Sequence, residues 1–235
     1  DNDNHLDLLL VGAWLTITIF SNNNGQLEKT DIDDLKLTKG WWFSLSSGDF
    51  DNDGDIDFVA GNLGRNYKYK TSVDSPFDIY YNDFDANGDK DIVLGYHNAG
   101  EHYPLRGFSC SSEQVPKLKE EFKKYDVFAA LNIKQVYGKK NLEKALHYET
   151  DTFASHYIEN LGEGKFDLKE LPNLAQLSNV NDLMTYDFNN DGNLDVLGIQ
   201  NLFVSEIETP RNDAGIGFML LGNGHGGFNV MPHQK

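Results

Sequence analysis

The sequence has one cysteine, Cys110, in 235 residues, which excludes an internal disulfide and a thiolate zinc cluster. Basic side chains are also scarce. Lys and Arg number 20 against 37 Asp and Glu, a formal charge of -17, so the chain's field repels phosphate backbones and nucleic acid is not expected as a partner. Long apolar runs are missing too. The strongest, residues 8–20, is broken by Gly12, Thr16 and Thr18 and falls short of the ~20 residues that cross a bilayer, so no membrane span is expected. No Asn-x-Ser/Thr sequon occurs, and neither Gly222-Asn223-Gly224 nor Gly162-Glu163-Gly164 leads into the lysine and hydroxyl pair of a phosphate loop. Apolar residues are not lacking: 39% hydrophobic content supplies a core for one large domain or two small ones.

Acids, asparagines and glycines recur in one order. The fullest copy is Asp49-Phe50-Asp51-Asn52-Asp53-Gly54-Asp55-Ile56-Asp57. A second runs Asp83-Phe84-Asp85-Ala86-Asn87-Gly88-Asp89-Lys90-Asp91, and a third Asp187-Phe188-Asn189-Asn190-Asp191-Gly192-Asn193-Leu194-Asp195. A fourth, Asp1-Asn2-Asp3-Asn4-His5-Leu6-Asp7, joins the series at its third position. Its first ligand would precede Asp1, so the chain is expected to be a piece of a longer one.

Oxygen-bearing side chains at positions 1, 3 and 5 converge when the backbone curls at position 6, where glycine or asparagine accepts a positive φ. A carbonyl from position 7 and the aspartate at position 9 complete the six to eight oxygens that calcium prefers. Simple turn formation needs only one or two such residues, whereas the three full copies keep an oxygen donor at positions 1, 3, 5 and 9. Ca2+ is therefore the expected cofactor. The expected metal-site residues are Asp1, Asp3 and Asp7; Asp49, Asp51, Asp53, Asp55 and Asp57; Asp83, Asp85, Asn87, Asp89 and Asp91; and Asp187, Asn189, Asp191, Asn193 and Asp195.

An EF-hand would send a helix out of each loop. Here short apolar runs ending in glycine follow instead, after Asp7, Asp57, Asp91 and Asp195, and these read as buried strands. Hairpins are expected at 17–20 turning through Asn22 to Gly25, at 157–160 turning through 162–164, and at 218–221 turning through 222–224. From Val115 to Leu146 the apolar spacing becomes helical, with Pro116 suited to a first turn, Glu120 and Lys124 to an i, i+4 pair, Gly138 to a break and Asn141 to a cap. The segment is mildly basic, and its apolar stripe is expected to pack on the strands of its own chain.

The loop, strand and hairpin series resembles the FG-GAP or VCBS repeat, the blade motif of calcium-binding β-propellers such as the integrin α-subunit head. The likeness covers roughly residues 1–27, 43–98, 157–167 and 181–228. Together with Tyr103-Pro104-Leu105-Arg106-Gly107, it comes nearest to large exported bacterial VCBS-repeat proteins associated with ASPIC/UnbV modules, no counterpart of which is apparent here. The resemblance implies an all-β fold, a partial β-propeller ring of about four blades with a small α-helical insertion, and structural calcium. The expected organisation is blades over 1–107, a helical insertion over 108–150 and further blades over 151–235.

The expected role is a non-catalytic binding or adhesion scaffold at the bacterial cell surface, contacting a glycan or protein ligand; weak calcium loops fill at the ~millimolar calcium found outside cells. Trp14, Trp41, Trp42, Tyr67, Tyr69, Tyr80, Tyr81, Tyr96 and Tyr103 are candidates to stack on sugars. Adjacent Trp41 and Trp42 would point to opposite faces of a strand. An alternative is a polysaccharide lyase or hydrolase using His97, His102, Tyr103 and Arg106. A third reading is a subunit-contact piece of a large surface complex, held to other parts of the same long chain.

Overall fold

The computed structural model describes residues 5–205 and 211–232. In chain order it contains β1 (Leu8–Leu10), β2 (Ala13–Leu15), β3 (Thr18–Asn23), β4 (Gln26–Thr30), β5 (Gly40–Trp41), β6 (Ser44–Gly48), β7 (Asp57–Gly61), β8 (Phe77–Asn82), β9 (Asp91–Asn98) and β10 (Glu101–Pro104). Five short helices follow: α1 (Phe108–Gln114), α2 (Lys117–Glu121), α3 (Tyr125–Ala129), α4 (Ile133–Tyr137) and α5 (Lys139–Lys144). The remaining strands are β11 (Leu146–Thr150), β12 (His156–Asn160), β13 (Phe166–Glu170), β14 (Val180–Tyr186), β15 (Asp195–Gln200), β16 (Phe218–Gly222) and β17 (Phe228–Val230). The fold is all-β in its framework and propeller-like, with antiparallel sheets as its units and few helices.

The chain divides into two compact units, residues 1–68 with 152–235, and residues 69–151. In the first, β6, β7, β12 and β13 form one four-stranded sheet, β14 to β17 another, and β1, β3 and β4 a three-stranded one. The second unit enters the chain between β7 and β12, the two central, directly paired strands of a sheet. Its own sheet runs β10-β9-β8-β11, all antiparallel.

The hairpins expected from the turn residues form. Asn23 pairs with Gln26 across Asn24 and Gly25, both at positive φ, the geometry that matches strand twist in a two-residue turn. All four apolar runs after the acidic loops are strands, β1, β7, β9 and β15. One core of the first unit gathers Val59, Val180, Val196, Phe218 and Leu220 around the edge-to-face rings of Phe50, Tyr157 and Phe228. A second joins Ile17, Leu35, Trp42, Ala60 and Ile158.

In the second unit the helices bury Val115, Leu118, Phe128, Ile133, Val136 and Leu142 together with Val93 of the sheet. The helical stretch is more fragmented than its periodicity suggests. Lys124 is extended and caps α3, so it shares no helix with Glu120. Asn132, not Asn141, makes the full capping box, exchanging bonds with Gln135. Gly138, at φ 80°, separates α4 from α5 as expected.

Candidate metal centre

Each complete acidic loop connects two neighbouring antiparallel strands. Gly48 faces Asp57 across the first, Asn82 faces Asp91 across the second and Tyr186 faces Asp195 across the third. Inside them the same bonds recur. The glycine N–H at position 6 donates to the first aspartate: Gly54 to Asp49 at 3.1 Å, Gly88 to Asp83 at 2.9 Å and Gly192 to Asp187 at 2.9 Å. The N–H of position 5 donates to the side chain of position 3, at 3.2 Å, 3.3 Å and 2.8 Å. The N–H of position 7 donates to position 5, at 2.9 Å, 2.7 Å and 2.8 Å.

Two residues per loop are left-handed. Glycine at position 6 was legible; position 4 was not, and it holds Asn52 at φ 64°, Ala86 at 63° and Asn190 at 59°. Asparagine tolerates that conformation, whereas Ala86 pays a steric penalty between Cβ and backbone. Position 2 supplies no ligand oxygen but does matter to the loop. Phe50 and Phe84 are buried and anchor their loops in the cores of their units, while Phe188 is half-buried with its ring against Tyr186; the sequence signal was a phenylalanine at the same place in all three copies.

The ninth aspartates lie at the loop's inner end, 0% exposed for Asp57 and Asp195 and 3% for Asp91. One carboxylate oxygen of each accepts the N–H of the position-2 phenylalanine, at 3.1, 3.0 and 2.9 Å. Asp57 also accepts the Tyr157 hydroxyl and the Asn160 N–H, both at 2.8 Å, and Asp195 accepts the Gly222 N–H at 2.9 Å. In the first and third loops these bonds staple the loop to a neighbouring strand, β12 and β16 respectively. Burial pushes the Asp57 and Asp91 carboxyls above the usual carboxylate range, with neighbouring loop acids adding to the effect. Half-buried Asp83 and exposed Asp191 shift down instead, because backbone N–H groups, of Gly88 and Asn193 respectively, stabilise their charge.

Carboxylate oxygens of Asp49, Asp51 and Asp53 lie within 4.8 Å of one another, as do those of Asp83, Asp85 and Asp91. Asp49 Oδ1 is buried and has no hydrogen-bond partner. The donor set is all oxygen, the choice of a hard cation, and an ion would satisfy that orphaned atom. The first and third loops are neighbours: the Asn52 amide donates to Asn193 Oδ1 at 3.3 Å. Asp55 and Asp7 border one cavity of about 840 Å³, with Leu9, Ile19 and Phe58 among its apolar walls. Asp7 accepts the Asn22 N–H at 2.9 Å, while Asp1 and Asp3 lie outside the described residues. Asp89 and Asn193 sit at position 7 of their loops, and Asp187 and Asn189 at positions 1 and 3 of the third.

The aromatic candidates separate into groups. Trp14, Trp41, Phe153 and Tyr67 form a chain of ring contacts in the first unit, and Tyr69, Tyr96 and Tyr103 another in the second. Trp42 is buried, its Nε1 donating to the Thr38 carbonyl, while Trp41 is half-buried. Tyr80 stacks on His147 with ring centroids 4.2 Å apart, and Tyr81 is exposed. Among the proposed catalytic group, Arg106 donates to Gln114 Oε1 at 2.6 Å and the rings of His97 and His102 stack 4.3 Å apart. Burial, reinforced by the adjacent His102, holds the His97 imidazole below its ordinary pKa.

No curated protein and no solved structure matches the chain. Residues 1–60, which carry β1 to β6 and the loop from Asp49 to Asp57, match the family model of the FG-GAP-like repeat.

Proposed function

We propose that this chain is a non-catalytic, calcium-stabilised propeller segment of an exported bacterial surface protein of the VCBS-repeat type, which presents a rigid surface to a protein or glycan ligand. The observation that carries the reading is the recurrence of one loop geometry at three hairpins, with carboxylate or amide oxygens at positions 1, 3 and 5 folded back over a curl that glycine closes. Such a cluster repels itself when bare, and a divalent ion relieves that repulsion. Export follows from the same chemistry, since loops of this kind fill readily at extracellular calcium. Two features favour a protein over a sugar as ligand. The stacking candidates are dispersed over both units, and the cavity beside Asp7 and Asp55 has Leu9, Ile19 and Phe58 among its walls and no Trp or Tyr among the described residues that line it.

Calorimetric melting with calcium and with excess EGTA tests the reading. At calcium ~100-fold above Kd, each site bound only by the folded state adds about 2.7 kcal/mol, or roughly 5–10 °C in a domain of this size. A melt indifferent to EGTA would remove the calcium and, with it, the argument for export. Pull-down and glycan-array binding by the parent protein in calcium then separate protein from sugar ligands.

A further inference from the structure

The β10-β9-β8-β11 sheet places Asp78, Gly95, His97, His102 and His147 on one face. Asp78 faces Gly95 in register, His97 lies two residues on from Gly95 and pairs with His102, and His147 pairs with Tyr80, two residues on from Asp78. Because strand side chains alternate, all of them point the same way. Gly95 makes the arrangement possible, since a Cβ built there would run into His102 Nε2.

Asp78 is only 2% exposed, a costly position for a carboxylate unless it is paired. Its Oδ1 is held by His147 Nε2 at 2.5 Å. Its Oδ2 lies 2.9 Å from His102 Nε2, an ion pair when that ring is protonated, and neither of these two buried atoms has another hydrogen-bond partner. With its proton on Nε2 the His102 ring pairs with this carboxylate; with its proton on Nδ1 it presents a lone pair there instead, the form that ligates a cation. His97 completes the set: ligand atoms of Asp78, His97 and His102 all lie within 4.8 Å of one another. Tetrahedral zinc, with bonds of about 2.0–2.1 Å, sets neighbouring ligands roughly 3.4 Å apart, so modest ring rotations close the site.

We propose that Asp78, His97 and His102 form a binding site for a divalent transition-metal ion of the zinc class, separate from the acidic loops. Two imidazoles and a carboxylate suit borderline ions, whereas calcium takes oxygen alone. His147 is a positioning residue, fixing the carboxylate through its other oxygen as the outer partners of metal ligands do. Three protein ligands leave a fourth position for water or an exogenous donor.

Zinc titrated calorimetrically into the tag-free full chain, with calcium in excess to occupy the loops, tests this. One equivalent is expected to bind with micromolar or tighter affinity, and Co2+ in its place to give the visible absorption of a low-symmetry site. His97→Asn and His102→Asn are each expected to weaken zinc roughly 100-fold, and His147→Gln roughly 10-fold. His97 is only half-buried, so its variant keeps the test open if His102→Asn fails to fold. Absence of zinc binding by folded wild-type protein overturns the proposal. So does zinc binding that survives both histidine variants but is lost in Glu149→Gln, which would put the ion on the other side of Asp78.

Discussion

The Tyr157 hydroxyl donates to Asp57 Oδ2 at 2.8 Å, joining a strand that follows the 69–151 unit to the last residue of a loop that precedes it. Both residues are buried, at 1% and 0% exposed. The carboxylate needs that bond because burial has already raised the cost of its charge. The same carboxylate raises the tyrosine's pKa, after burial, so the phenol stays protonated as a donor. Tyr157→Phe keeps the ring contacts with Phe50 and Phe228 and removes only the hydroxyl. Its expected cost is about 1.5–3 kcal/mol, the range for a hydrogen bond to a charged group, read from the urea midpoint in calcium.

Asp49→Asn separates metal binding from folding. Asparagine keeps an oxygen for the Gly54 N–H but removes one negative charge from the Asp49, Asp51 and Asp53 cluster. Stability is therefore expected to fall in calcium, where a ligand has been weakened, and to hold or rise in EGTA, where repulsion has been relieved. A variant equally destabilised under both conditions would assign Asp49 a purely structural role.

At position 4 of the loops the expected effect is a gain. Ala86 stands at φ 63° where the other two loops place asparagine. Ala86→Asn or Ala86→Gly relieves a left-handed strain of about 1 kcal/mol, and Asn52→Ala introduces it. Opposite shifts of the urea midpoint, with unchanged slope, check both.

Much of this was legible in the sequence because loops and turns are specified locally. Gly54, Gly88 and Gly192 announced the curl, and Asn24-Gly25 announced a hairpin, since each encodes its own backbone conformation. Position 4 was hidden because Ala86 breaks the asparagine pattern there. Asp78 was invisible for a different reason. Nothing near it in sequence marks it, and its partners His102 and His147 reach it only through strand register, with separations of 24 and 69 residues. The pairing of β7 with β12 was equally out of reach, because the intervening unit separates strands that periodicity would have placed in different blades. The helical segment's apolar period was readable, but its division into five short helices depended on extended residues such as Phe122 and Lys124.

His156 predicts how stability varies with acid. Its half-buried ring stands edge-on to Trp42, and its Nδ1 lies 2.9 Å from the Ala154 carbonyl. Burial lowers its pKa, outweighing the opposing pull of that carbonyl and of Glu170. In the unfolded chain the imidazole titrates near its ordinary value of about 6.5, so below that pH the unfolded state binds a proton that the folded state refuses. This contribution is fully present above the unfolded value and is lost progressively as pH falls toward the folded pKa. Urea unfolding of wild type in calcium is therefore expected to show stability declining between about pH 7 and pH 5. In His156→Gln, which cannot take up that proton, the decline is expected to be shallower by up to one proton's worth of slope. Equal slopes in the two proteins would mean that the His156 ring does not resist protonation and that the acid sensitivity arises elsewhere.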